Sequence, residues 1–323
     1  MKERISQILN LLEKENHFLI TSHIRPDGDA VASQLALAHL LKGLGKGYRI
    51  INEEPPPSLY SFLPLSDEIS LLSEEMGPFR VAIVLDCHET SRLANGLDAI
   101  VRRSSSVVIV DHHPGESEFE GFSLIVPRAS STCEVLYGLI RSSKIGLDYD
   151  IATCLYTGIF TDTGGFSYDN TGSRTHAIAA HLLKYGIDVE GIWCLLNRVE
   201  NPNFIILTSL VLGTLKVEGE RVAHITLTKE MEKRCGFENI GLEADILLRH
   251  IRPLRGVKVS ILFRELGDAR IKVSMRTSST IDMDKIARRF GGGGHPQAAG
   301  CILYTSLEDA KEKIVKEIER WIR

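Results

Sequence analysis

The sequence predicts an α/β protein in which a parallel-sheet domain is joined by a helical linker to a smaller α+β domain. Three observations lead there. Short apolar runs recur in the first half, helical stretches separate them, and from about Asp188 the texture changes to helix and then to shorter alternating strands. A length of 323 residues exceeds the usual single domain, so two separately cored domains are the default.

Four of the runs are "HFLITS" (17–22), "YRIIN" (48–52), "VAIVLD" (81–86) and "SVVIVD" (106–111). Several are apolar throughout rather than alternating, as parallel strands buried on both faces require. The opening "MKERISQILNLLEKEN" has helical spacing, and so do Ala30–Leu44 and Ser173–Tyr185, each stopped by a glycine, Gly45 and Gly186. "VEGIWCLLNRVENPNFIILTSLVLGTL" reads as a helical connector, followed by strands at 221–228, 257–264 and 270–276. "SLEDAKEKIVKEIERWIR" has Ile and Trp at helical spacing and acids near its start, so it closes the second domain. The expected boundaries are 1–188 for the first domain, 189–210 for the linker and 211–323 for the second.

Composition excludes several function classes. With 38 Lys+Arg against 42 Asp+Glu there is no bulk basic surface for stable duplex binding. The six cysteines are scattered without a C-x-x-C pair, which suits a reducing cytoplasm. No segment reaches ~18 uncharged apolar residues, and the first helix lacks the continuous apolar core of a signal peptide. The expectation is a cytoplasmic protein without membrane association; a homodimer is left open.

The residues that follow the apolar runs form a pattern. "TSHIRPDGDA" supplies His23, Asp27 and Asp29, "VAIVLDCHE" supplies Asp86, "VVIVDHH" supplies Asp111, His112 and His113, and "LYTGIFTDTGGF" supplies Asp162. Read as strand ends of one parallel sheet, these groups meet at the edge where open α/β folds bind ligands. Any one acid could be a helix N-cap, and either histidine alone could be structural. Together they describe a cation site, because neighbouring carboxylates repel unless a cation sits between them. Carboxylates and imidazoles without thiolates favour Mn²⁺, with Mg²⁺ or Co²⁺ as alternatives, and two ions suit the ligand count better than one.

In this order "HIRPDGDA", the strand-end Asp86, "DHH" and "TDTGGF" resemble the four motifs of the DHH phosphoesterases, over about the first 185 residues. The resemblance implies that His23, Asp27 and Asp86 hold one ion and Asp29, Asp86, His112 and Asp162 the second, with Asp86 bridging. It places His113 beside the scissile phosphate as general acid or charge stabiliser. Asp111 would stand behind the ligands, accepting a hydrogen bond from a ligand imidazole. Two departures, Ala32 in "DGDAVAS" and Gly165 in "DTGGF", touch no proposed ligand.

"RRFGGGGHPQAAGC" (288–301) resembles the glycine motif of the DHHA1 domain, over roughly 210–323. The amides of Gly291, Gly292, Gly293 and Gly294 could cradle an anion, and His295 and Arg276 would add donors to a phosphate. From Arg249 to Arg289 there are eleven Lys/Arg against four acids, a basic tract within an acidic whole. The domain pair resembles the compact nanoRNase/3′-phosphoadenosine-5′-phosphate phosphatase group. That implies a hydrolase that degrades RNA of two to five nucleotides and dephosphorylates 3′-phosphoadenosine-5′-phosphate (pAp), with short single-stranded RNA and nucleotides as its partners. The alternatives are a RecJ-like single-stranded DNA exonuclease, a cyclic-dinucleotide phosphodiesterase and a non-enzymatic nucleotide sensor.

Overall fold

The computed structural model describes residues 2–322 apart from 74–77, 94, 198–200, 220 and 239. The chain divides into two compact units, Met1–Arg198 and Val199–Arg323.

In the first unit, β1 (Phe18–Ser22), β2 (Tyr48–Asn52), β3 (Ile69–Leu71), β4 (Val81–Leu85), β5 (Ser106–Asp111) and β6 (Phe122–Ile125) form one sheet in the order β3-β2-β1-β4-β5-β6. Every neighbouring pair is parallel. The four strands expected from the sequence are β1, β2, β4 and β5, and the short β3 and β6 are added at the edges. Helices α1 (Lys2–Lys14), α2 (Gly28–Gly43), α3 (Asn95–Arg103), α4 (Thr132–Arg141), α5 (Tyr149–Asp162), α6 (Ser173–Leu182) and α7 (Val189–Leu196) complete the unit.

Strand alternation sends Phe18 and Ile20 to a core shared with α2, α4 and α5, and Leu19 to the opposite core, where Leu97 and Val101 of α3 lie. Burial on both faces is why β1 and β4 read as unbroken apolar runs. The order reverses between β1 and β4, and the crevice beyond the strand C-termini at such a switch point is the usual ligand position in open α/β sheets.

One expectation is corrected. "LYTGIFTD" does not form a strand, and Asp162 is the last residue of helix α5. Residues Ile151 to Ile159 of that helix are all buried, so its sequence shows no polar face and hence no helical period.

In the second unit, β7 (Lys216–Glu218), β8 (Val222–Leu227), β9 (Val259–Gly267), β10 (Arg270–Thr277), β11 (Gly293–His295) and β12 (Ala298–Tyr304) are ordered β11-β12-β10-β9-β8-β7. All pairs are antiparallel except β8 with β9. Helices α8 (Pro202–Leu212), α9 (Lys229–Arg234), α10 (Met283–Arg288) and α11 (Leu307–Ile322) belong here. Leu207 and Val211 of α8, with a 3₁₀ stretch over Gly241–His250, cover Ala223, Ile225, Leu227 and Leu262 on one face. Helices α10 and α11 cover the other. Within the expected 189–210 linker, Ile192 of α7 joins the first core and Leu207 of α8 the second, while 198–200 fall outside the described residues.

Candidate metal centre

The loop after β1 is shaped by its own carboxylate. Asp27 caps α2, one oxygen accepting the amides of Asp29 and Ala30 at 3.1 Å each. Asp29 then falls in the first turn and is buried. Its two oxygens accept Thr132 N–H at 2.6 Å and Cys133 N–H at 3.0 Å, so the N-terminus of α4 fixes this carboxylate. Gly158 in α5 makes the approach possible, because a Cβ there would stand 2.2 Å from Cys133 Sγ and 2.9 Å from Asp29 Oδ1.

Asp86 follows β4 in a left-handed conformation with φ of 58°, its amide donating to Val110 O. Aspartate tolerates that region better than most residues, and such conformations concentrate at functional sites. One carboxylate oxygen, Oδ2, lies 3.3 Å from His23 Nε2. The other, Oδ1, lies 3.6 Å from His112 Nε2 and accepts Thr132 Oγ1–H at 2.8 Å.

His23, Asp27 and Asp86 bring their ligand atoms within 4.8 Å of one another, as do Asp29, His112 and Asp162. Asp86, His112 and His113 form a third such group. Neither Cys87 nor Cys133 takes part. Asp162 Oδ2 is 3.4 Å from His112 Nε2.

The donor set fits metal ions on two counts. His23 Nδ1 and His112 Nδ1 face backbone carbonyls, Ile24 O at 2.8 Å and Ala129 O at 3.3 Å, which leaves the Nε2 lone pairs toward the acids. His23 Nε2 and Asp162 Oδ2 are buried without a hydrogen-bond partner, a costly state unless a cation completes it. The acids show the same strain: burial, and then the charge of Asp29, push Asp86 well above the usual carboxylate range and Asp162 up to about 8. Burial also raises Asp29 and lowers His112.

Asp111 serves a different imidazole from the one expected. It accepts His113 Nδ1–H at 2.8 Å and the amides of His112 and His113, while its second oxygen meets Nδ1 of the buried His88. It therefore orients His113 and not the ring of His112. These hydrogen bonds hold Asp111 down to about 2 against its burial, and the bond to Asp111 raises His113. His88, Thr132 and Gly158 escaped the sequence reading. Their partners lie 23 residues or more away in sequence, and only His88 adjoins a motif acid closely enough to have been noticed.

In the second unit, Asp245, Lys272, Arg276, Gly291, Gly292 and Gly293 line a cavity of about 620 Å³. Three of the four amides expected to form an open cradle are already paired. Gly291 N–H donates to Arg288 O, Gly292 N–H to Ala287 O and Gly294 N–H to Asp284 Oδ1, because the glycines turn the end of α10 into β11. A side chain is excluded at Gly292, where a Cβ would meet Gly300 O at 2.1 Å. Arg276 pairs with Asp245 at 3.5 Å, and His295 at the end of β11 is exposed.

The DHH family, N-terminal domain, matches residues 17–159 and the DHHA1 domain matches 227–323. The chain is 30% identical over 315 residues to the bifunctional oligoribonuclease and PAP phosphatase NrnA of Thermus thermophilus, covering 97% of this chain and 92% of that protein. It is 25% identical to the Bacillus subtilis protein of the same name, over 97% of each. The fold is similar to that of an exopolyphosphatase-related protein from Bacteroides fragilis, with a TM-score of 0.90, 27% identity and coverage of 99% and 97% of the two chains. With both domains matched and the acid–histidine groups assembled at the sheet's switch point, the chain belongs to the DHH family of metal-dependent phosphoesterases, in the form that carries a DHHA1 domain.

Proposed function

We propose that this phosphoesterase degrades RNA of two to five nucleotides to mononucleotides and dephosphorylates pAp, with two Mn²⁺ ions. The observation that carries the reading is the position of Asp86, whose two oxygens face His23 on one side and His112 on the other. The names of the similar NrnA proteins supply the substrate class. His23, Asp27 and Asp86 would hold one ion, and Asp29, Asp86, His112 and Asp162 the other. Bound there, such ions neutralise phosphate charge and acidify water near neutral pH.

The chain's own groups do the rest. His113, held through Nδ1 by Asp111, would present Nε2 to the leaving oxygen as proton donor. The N-terminus of α4 keeps Asp29 in place, and the Thr132 hydroxyl sets the rotation of Asp86. In the second unit, Arg276 and His295 would supply the donors to substrate phosphate, beside the close turn made by Gly291–Gly294. Among the described residues no helix is long and apolar enough to cross a membrane.

A panel of RNA and DNA oligomers and pAp, assayed with Mn²⁺, tests the assignment. RNAs of two to five nucleotides should show higher kcat/KM than a 24-mer. Equal efficiency on the 24-mer, or processive digestion of long single-stranded DNA, would favour a RecJ-like exonuclease.

Two substitutions probe the supporting groups. Thr132→Val removes the donor to Asp86 Oδ1 and should weaken metal binding by about 10–100-fold, as loss of a ligand's outer partner does; Thr132→Ser should restore it. Calorimetric Mn²⁺ titrations showing no change in Thr132→Val would remove the hydroxyl from this role. Arg276→Ala and His295→Ala should each lower kcat/KM by the equivalent of about 1.5–3 kcal/mol, one charge-assisted contact. If both retain wild-type kcat/KM on dinucleotides and pAp, the glycine turn serves structure alone.

A further inference from the structure

On the face of the second sheet where α8 and the 3₁₀ stretch cover β8 and β9, strands β10 and β12 continue into the open cavity beyond Asp245. Their register sets Ala298 beside Arg276, Gly300 beside Ser274, Ile302 beside Lys272 and Tyr304 beside Arg270. Residues paired in this way share a face. The intervening Ala299 and Cys301 point into the core with Val273 and Met275.

The face therefore carries two parallel strips. The β12 strip runs from a small, flat floor at Ala298 and Gly300 to Ile302 and Tyr304, which are 44% and 79% exposed. The β10 strip holds Arg276, Lys272 and Arg270, three cations against two carboxylates: Asp245, shared by Arg276 and Lys272, and Asp268 beside Arg270. Alternate residues along a strand stand about 6.8 Å apart, about twice the 3.4 Å rise per nucleotide within a duplex strand, which suits an unstacked chain. Polar surroundings alone would account for the lysine and arginines. They do not account for an isoleucine and a tyrosine left exposed in line with the glycine floor, opposite the cations.

We propose that Ile302 and Tyr304, flanked by Lys272 and Arg270, form a subsite for the outer nucleotides of a short single-stranded RNA. The bases lie on the β12 strip and the phosphates along β10. Sheets that bind single strands use this division, because every base offers a face to stack and every phosphate a charge to neutralise. The subsite rests on the reading that Arg276 and the glycine turn engage the same substrate. It extends that reading by assigning to Tyr304 the gain that a third to fifth nucleotide brings over a dinucleotide.

The test is binding of a 5′-labelled RNA pentamer, followed by anisotropy on metal-loaded His113→Ala protein to suppress turnover. Tyr304→Ala added to that background should raise the pentamer Kd about tenfold, while Tyr304→Phe should leave it unchanged. In the His113 background the catalytic machinery plays no part in the comparison, and the high exposure of Tyr304 makes misfolding an unsuitable explanation for a loss. With His113 intact, Tyr304→Ala should lower the pentamer-to-dinucleotide ratio of kcat/KM by a similar factor, and Lys272→Ala should reduce the salt slope of pentamer binding by about one. An unchanged pentamer Kd, or an equal loss for pentamer and dinucleotide, overturns the subsite. Failure of the wild-type protein to hydrolyse any short RNA overturns the parent reading instead, and the pentamer Kd still decides the subsite.

Discussion

Asp86→Ala should abolish turnover and weaken both metal ions. Losing a partner that merely orients a ligand costs about 10–100-fold, and in the proposed two-ion site Asp86 would be a ligand of both ions, so a fall in kcat of at least about 10³-fold is expected. The backbone complicates the alanine variant. At φ of 58° alanine sits in a region that costs about 1–2 kcal/mol for ordinary residues, whereas asparagine tolerates it. Asp86→Asn therefore separates the missing charge from backbone strain and should lose nearly as much activity with less loss of stability. Turnover of an RNA dinucleotide and Mn²⁺ titration of both variants are the measurements. Near-normal activity in Asp86→Asn, or in metal-stripped protein held in chelator, would end the two-ion reading.

His113→Ala should lose turnover by about 10²–10⁴-fold, the usual contribution of a positioned general acid, and keep its metal. Its neighbour separates the two roles. His112 has Nε2 toward Asp86 and Asp162, so His112→Ala should lose metal and activity together. His113 has Nδ1 committed to Asp111 and a side chain 38% exposed, the placing of a group that meets the substrate. Metal content measured beside kcat distinguishes the pair. If His113→Ala releases metal as readily as His112→Ala, then His113 is a ligand; if its kcat is unchanged, the general-acid assignment fails.

The parts of the fold legible in the sequence were those with one dominant period or none. β1, β4 and β5 showed as apolar runs because parallel strands are enclosed on both faces, and α11 showed because its buried Ala310, Ile314 and Ile318 repeat at four-residue intervals. Helix α5 defeated the same logic, since enclosure removes the helical period as well. Asp27, Asp29 and Asp86 were legible because they cluster beside turn-forming Pro26 and Gly28 or directly after a strand, whereas Asp162 was found by its motif alone and closes a helix. Thr132 and Cys133 were not: they act on Asp29 across more than 100 residues, two of those contacts through backbone amides, which any side chain could flank. The glycine run was legible as a place of close approach, but not the acceptors its amides would find, which only the turn from α10 into β11 fixes.

The burial that assembles Asp29, Asp86 and Asp162 also ties folding stability to solution conditions. A carboxyl raised from 3.8 to about 8, as for Asp162, binds its proton in the native state and not in the unfolded one between those values. The stability of metal-stripped protein should therefore fall as pH rises across that interval, and be regained as the pH is lowered toward 4. Metal reverses the slope: by binding the ionised native site it stabilises through mass action, increasingly as protons cease to compete. The melting temperature of this protein should thus report metal supply, with the gap between stripped and loaded forms widening toward alkaline pH; a gap independent of pH would mean that the buried carboxyls do not govern it.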